Sequence, residues 1–223
     1  MKKTISILVS FIIVITSIVG FSSTAFAKTI EGECGDNASF VYDYDTKTLT
    51  ISGTGAIGDY SRSPRPWDYD EEEDVAHNVK IKNLIIKEGI TSVSDYLFYN
   101  EGLKSVKFPS TLTSIGKYSF ALNNSLKNVK LPKKLKTIGD KAFLQKYNKK
   151  QKYSKSVTIP KSVKKIGKNA FGYSFDYDNV LQKFLEPGEQ PANYKIKGFK
   201  IYGKKGSTAQ KYAKKHKITF VVK

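Results

Sequence analysis

The chain is poor in the residue types on which most enzymes depend. Its 223 residues include one cysteine, Cys34, and two histidines, His77 and His216. A single cysteine rules out an intramolecular disulfide, so stability has to come from a packed core. Neither histidine stands in a motif that would make Cys34 a nucleophile, which leaves the thiol as a packed residue near the amino terminus. There is no metal-ligand spacing of Cys, His, Asp and Glu, no glycine-rich phosphate loop and no Ser/His/Asp order. The expectation is therefore a non-enzymatic protein with no catalytic residues, metal or cofactor. Arginine is nearly as scarce, with only Arg62 and Arg65 among 38 basic residues. Base reading and bidentate phosphate clamps rely on arginine, so a sequence-specific nucleic-acid partner is not expected.

Long apolar runs are confined to one place. Met1-Lys2-Lys3 is a positive head, Ile5 to Val19 is almost wholly apolar, and Ala25-Phe26-Ala27 is a small-x-small site. Residues 1–27 read as a secretory signal cut after Ala27. The run is short for a span of about 20 residues, so no membrane span is expected once it is removed. Cys34 is preceded by Glu31-Gly32-Glu33, which does not suit a lipid-modified cysteine.

What the chain does have is a repeat. From Leu103 it reads LKSVKFPSTLTSIGKYSF, then LKNVKLPKKLKTIGDKAF, then SVTIPKSVKKIGKNAF. Phe108, Pro109, Leu112, Ile115, Gly116 and Phe120 recur at Leu131, Pro132, Leu135, Ile138, Gly139 and Phe143, and again at Ile159, Pro160, Val163, Ile166, Gly167 and Phe171. A period of this length means a solenoid. Val106-x-Phe108 suits a short strand with Lys107 facing outward. Pro109 ends the ladder for want of an amide hydrogen. Gly116 is read as permitting a turn that a side chain would block. A worn earlier copy, NLIIKEGITSVSDYLF, places Leu84, Ile86, Ile90, Val93 and Phe98 at the apolar positions, with Glu88 and Gly89 read where the later copies have proline and its follower. Phe98, Phe120, Phe143 and Phe171 are expected to stack into a spine, each contributing roughly 1.5–3 kcal/mol by burial.

The pattern L-x-x-V-x-[FLI]-P-x-x-L-x-x-I-G-x-x-[SA]-F resembles the BspA-like (treponemal-type) leucine-rich repeat of bacterial surface and secreted proteins. It differs from the commonest leucine-rich repeat in lacking the ladder asparagine. GECGDNASF, TLTISGTGA and Pro66-Trp67 resemble that family's amino-terminal capping region, and IYGKKGSTAQKYAKKHKITF its terminal cap. The resemblance implies a mainly β solenoid with short helical turns, closed by a β-hairpin cap and a helix–strand cap. It also implies adhesion or protein binding at the bacterial surface, with host or matrix components as partners. The expected layout is a cap over 28–80, about four coils over 81–198 with insertions at 145–156 and 172–193, and a terminal cap over 199–223.

The residues of the two caps carry the same reading. Phe40, Tyr42 and Tyr44 alternate, as do Leu49 and Ile51, with Asp45-Thr46-Lys47 between them, which predicts a hairpin. Ser207-x-x-Gln210 reads as a capping box. Asp68 to Asp74 holds six acids in seven residues. They lack the alternation and the glycine of a calcium loop and read as a solvated acidic loop.

Charge is divided along the chain. Residues 28–101 hold 7 basic and 15 acidic side chains, net −8, while residues 102–223 hold 29 and 5, net +24. The repeat register predicts lysine columns: Lys107, Lys130 and Lys200 on successive strands, Lys104 with Lys127, and Lys133 with Lys161. Neighbouring lysines at a strand spacing of about 4.8 Å repel by somewhat under about 1 kcal/mol in water. The columns serve either solubility or anion binding. The leading expectation is a secreted or cell-surface scaffold that binds an extracellular protein or an acidic polymer, such as host matrix, mucosal glycan or wall teichoic acid. The alternative is a structural envelope protein held electrostatically to anionic wall polymer.

Overall fold

The computed structural model describes residues 28–60, 64–70, 75–76, 79–147, 154–175 and 193–223. The acidic run beyond Asp70, the middle of the first insertion and most of the second lie outside the described residues.

The amino-terminal cap is a meander of β1 (Thr29–Gly35), β2 (Ala38–Asp43) and β3 (Thr48–Gly53). The expected hairpin is its β2–β3 half, with Phe40 opposite Ile51 and Tyr42 opposite Leu49. Its turn is fastened by Asp43, whose Oδ1 accepts the amides of Asp45 and Thr46, each at 2.9 Å. The cap does more than cover the first coil. β3 and β4 (Gly55–Ala56) pair in parallel with strands of the first repeat, so Thr48–Ala56 is itself an atypical coil ahead of the first. A two-stranded pair, β5 (Tyr69–Asp70) and β6 (Val75–Ala76), follows.

Two ladders then run along the solenoid. The first coil gives β7 (Asn83–Ile86) and β8 (Ile90–Val93), and the second gives β9 (Ser105–Lys107) and β10 (Ser114–Ile115). The third gives β11 (Thr137–Ile138) and ends in β12 (Gln145–Lys146). The fourth gives β13 (Ser156–Thr158) and β14 (Lys165–Ile166), followed by β15 (Tyr173–Phe175). One face carries β1-β2-β3-β7-β9, and the other carries β4-β8-β10-β11-β14 in parallel. The third coil has no strand on the first face. Asn128 adopts a left-handed φ of 55°, and only a bridge from Lys130 to Thr158 survives. The chain closes with β16 (Asn193–Lys195), β17 (Lys200–Gly203), helix α1 (Thr208–Lys215) and β18 (Thr219–Val222). β13, β17 and β18 form a parallel sheet.

The core follows the repeat. Leu112, Ile115, Leu135, Ile138 and Val163 are at most 1% exposed. Phe98, Phe120, Phe143 and Phe171 stack face to face, with ring centroids 5.4, 5.4 and 4.9 Å apart. The spine continues into the cap, where Trp67 lies on Phe98 at 5.7 Å and 6° and meets the edge of Phe40. Arg65 holds the Trp67 segment against the first coil. Its Nε donates to Asp68 at 2.6 Å, and its Nη1 donates to the Leu97 carbonyl at 3.2 Å and pairs with Glu101.

Three expectations are corrected, and one feature was not foreseen. The repeat glycines do not supply turns. Gly116, Gly139 and Gly167 lack a positive φ, and a Cβ on them would stand 2.5–2.6 Å from the backbone of the preceding coil. The left-handed residue comes two positions later, at Tyr96, Tyr118, Lys141 and Asn169. Lys87, not Glu88, is level with Pro109. The Lys87 amide donates to Ile51 at 2.8 Å, while the Glu88 carboxylate accepts the Ser110 amide and hydroxyl of the next coil. The capping box is not made, because Ser207 makes no side-chain cap and Gln210 accepts the amide of Gly206, one residue before the cap, at 2.7 Å, while the Ser207 amide donates to the Lys204 carbonyl at 3.2 Å. The two insertions are not separate loops at their bases. β12 pairs with β15, and β15 pairs with β16, in a small lateral sheet.

Candidate binding surface

The described residues offer little enclosed space. A cleft of about 30 Å³ opens between the third and fourth coils, lined by Phe120, Leu126, Val129, Phe143, Val157 and Phe199. That volume holds about one or two waters and no small-molecule ligand. It sits where the first-face ladder is broken at Asn128 and where the lateral sheet leaves the coil. The outer surface is the other candidate.

On that surface the strand starts of the first face carry a lysine column. The Lys82 amide donates to the Lys47 carbonyl at 2.9 Å, and the Lys104 amide to Lys82 at 2.7 Å. These backbone bonds place the three lysines on consecutive strands. Lys127 and Lys155 occupy the same repeat position in the next two coils, and the Lys200 amide donates to Lys155 at 2.9 Å. Lys47, Lys104, Lys127, Lys155 and Lys200 are exposed, and Lys82 is half-buried with its Nζ donating to the Gly102 carbonyl at 3.4 Å.

This changes the expected columns. Lys104, Lys107, Lys127, Lys130, Lys133, Lys161 and Lys200 are all exposed, and among the described residues none of them makes an ion pair. Lys200, however, does not continue the Lys107–Lys130 column. Thr158 is the partner of Lys130, and Tyr202 is the partner of Thr158, so Tyr202 holds that level. Lys200 faces Ser156, one level past Lys155, whose own level on β17 is Phe199, so it belongs to neither column. The long second insertion separates β13 from β17, so a fixed sequence offset could not give this register. Lys47, Lys82 and Lys155 went unrecognised for a related reason. The first two lie in the atypical coil and the worn copy, and the third follows the first insertion.

The third side of each coil is a turn ladder with aromatic and charged columns. Tyr96 and Tyr118 stack at 4.9 Å, and Tyr99 packs edge-on against Tyr118. Lys141 donates to the Tyr118 hydroxyl at 2.6 Å. The Asp95 carboxylate accepts the Lys117 amide at 2.6 Å, and Asp140 accepts that of Lys168 at 2.8 Å. These groups are occupied in joining coils, so this side is chiefly structural. Cys34 is fully buried, and burial, with the nearby Glu33 carboxylate, pushes its thiol up to about 12. It is not a nucleophile.

A parallel ladder on each face, a phenylalanine column and a glycine column between touching backbones are the marks of a leucine-rich repeat. The model of the BspA-type leucine-rich repeat region matches residues 73–178 in six copies. The chain carries a BspA-type leucine-rich repeat region. Solved structures similar to this chain include a leucine-rich repeat protein from Eubacterium ventriosum, 26% identical with a TM-score of 0.47 over 68% of this chain and 45% of that one. The pneumococcal vaccine antigen PcpA is 16% identical, with a TM-score of 0.35 over 68% and 50%. A leucine-rich cell surface protein from Faecalibacterium prausnitzii is 18% identical, with a TM-score of 0.23 over 68% and 53%. The chain thus spans about half the length of each of these. Comparison with curated proteins gives no match. Among the described residues no helix is long and apolar enough to cross a membrane.

Proposed function

We propose that this BspA-type protein is a non-enzymatic binding scaffold of the bacterial cell exterior, and that its first face binds an acidic ligand, either a protein or an anionic polymer. The carrying observation is the lysine column from Lys47 to Lys155, set by backbone bonds over Lys47, Lys82 and Lys104, continued at the same repeat position by Lys127 and Lys155, and without an ion pair among the described residues. Flexible lysines at a regular spacing suit diffuse phosphate, sulfate or carboxylate groups better than a single planar anion. The amino-terminal signal supports an exterior location, and the lack of room inside the described coils supports surface recognition. The ordered column favours a defined face over attraction by net charge alone.

Salt titration of binding to teichoic acid and to an acidic protein tests this. Each released counterion adds about 0.7–0.9 to the slope of log affinity against log salt. Replacing Lys104, Lys127 and Lys155 with Gln should lower that slope by roughly 2–3 and weaken binding. Replacing Lys211, Lys214 and Lys215 of α1 removes the same charge elsewhere and should change it little. Equal losses from both sets would mean diffuse attraction, as for a structural wall component held by charge. No loss from either set would remove the electrostatic reading.

A further inference from the structure

Among the described residues the two ends of the first face are open strand edges. Among the described residues β1 pairs only with β2, and β18 pairs only with β17. Strand geometry fixes which backbone groups are free. The Lys28 carbonyl accepts the Tyr44 amide, so Lys28, Ile30 and Gly32 direct their backbone groups at β2. Thr29, Glu31 and Glu33 alternate with them and direct theirs outward. At the other end the Lys223 amide donates to Gly203, so the groups of Val221 turn inward and those of Phe220 and Val222 turn outward.

We propose that these edges join, β18 of one copy against β1 of the next, in a head-to-tail assembly of this chain. Three independent features favour that occupant. The first is polarity. β2 apart, the strands of this face run the same way, so a second copy translated along the solenoid continues the parallel ladder without inversion. Two outward residues on β18 interdigitate with three on β1, allowing on the order of four ladder bonds. The second is apolar fit. Val222 is 62% exposed and Phe220 is partly buried, and in this register Phe220 comes level with Ile30 of the neighbour.

The third feature is charge. Glu31 and Glu33 flank the free groups of β1, while Lys217 and Lys223 bracket β18. Residues 199–223 hold eight lysines and no carboxylate, whereas 28–60 hold six carboxylates and two lysines. Like charges therefore oppose β1 on β1 and β18 on β18, and only the heterologous pairing is attractive. A contact of that kind propagates into a filament instead of closing as a dimer. This goes beyond the ligand reading and does not depend on it, because neither edge uses the lysine column.

The test is sedimentation of the protein recovered from a secreting host, over a concentration series at low salt. Wild type should gain mass with concentration and lose it when salt is added. Val222→Pro removes an outward amide, costs no internal ladder bond and leaves the charge unchanged, and it should sediment as a monomer. Glu31→Lys with Glu33→Lys, and separately Lys217→Glu with Lys223→Glu, should each be monomeric alone and associate when mixed, since both swapped ends then meet an opposite charge. Lys161→Glu, away from both edges, should associate like wild type. A wild type that stays monomeric throughout, a proline variant that associates unchanged, or swapped variants that fail to restore each other would overturn the proposal.

Discussion

Single residues carry much of the stability because each coil is thin and leans on its neighbours. Phe143 is gripped on both faces by Phe120 and Phe171. Phe143→Ala should cost about 3–5 kcal/mol, read as a lowered urea midpoint. Tyr212 works differently. In earlier coils the amide at the spine position donates to a carbonyl of the following coil, as Phe120 does to Ala142 and Phe143 to Ala170. Phe171 has no such coil. The buried Tyr212 hydroxyl, reaching from α1, accepts the Phe171 amide at 3.1 Å and donates to its carbonyl at 3.0 Å. Tyr212→Phe keeps the ring and strands both groups, so it should cost about 1–3 kcal/mol in the same melts. Cys34 is the contrast. Its buried, unionised thiol should resist alkylation in the native protein and react only after unfolding, which a mass shift would show.

At the scale of elements, what was legible in the sequence was what repeats. The phenylalanine period placed the spine, and the leucine and isoleucine positions placed the buried faces of β8, β10, β11 and β14. The atypical coil at Thr48–Ala56 was not legible as a coil, because its stacking onto β7 and β8 uses backbone pairing and no repeat signature. The broken strand at Asn128 was hidden too, since Lys-Asn-Val-Lys fits the strand pattern as well as Lys-Ser-Val-Lys does. The candidate surface was half legible. Exposed lysines follow from pattern, but their columns depend on register, and insertions erase register. The glycines were half legible: a side chain is blocked there, but by the backbone of the neighbouring coil and not by a turn, and the difference is measurable. If they served turns, Gly139→Ala would cost only a local adjustment. A methyl at Gly139 would instead stand 2.5 Å from the Gly116 carbonyl carbon, against backbone that cannot yield without parting two coils. The expected cost is at least about 1–3 kcal/mol, with loss of amide-exchange protection on both sides of the contact.

For the molecule as a whole, the division of charge makes stability depend on pH in two stages. At the basic end His216 stacks on Tyr212 at 4.2 Å and shares a 2.9 Å hydrogen bond, through Nδ1, with the Tyr173 hydroxyl. Burial, and then the Lys215, Lys168 and Lys195 ammonium groups, hold its pKa below the ordinary 6.5. The unfolded chain thus takes up this proton at a higher pH than the folded one. The contribution of neutral His216 is whole above about 6.5 and is lost as the pH falls toward its folded value. At the acidic end the signs give a lower window. Glu88 is held below 4.5 by the Ser110 amide and hydroxyl and by Thr111, and Asp43 below 3.8 by the amides of Thr46 and Asp45. Each stabilises the fold while ionised and ceases to as the pH falls through its lowered pKa. Protonating the carboxylates also strips the acidic half of its charge and leaves the lysines unopposed, which adds self-repulsion. Thermal melts at falling pH should therefore show a first decline beginning near pH 6.5 and a second, steeper one below about 4.5. His216→Gln should start from a lower melting temperature, lack the first decline and keep the second. Glu88→Gln should soften the second and leave the first. A first decline that survives His216→Gln would place the titrating group elsewhere and deny the terminal cap its role as the acid-sensitive end of the solenoid.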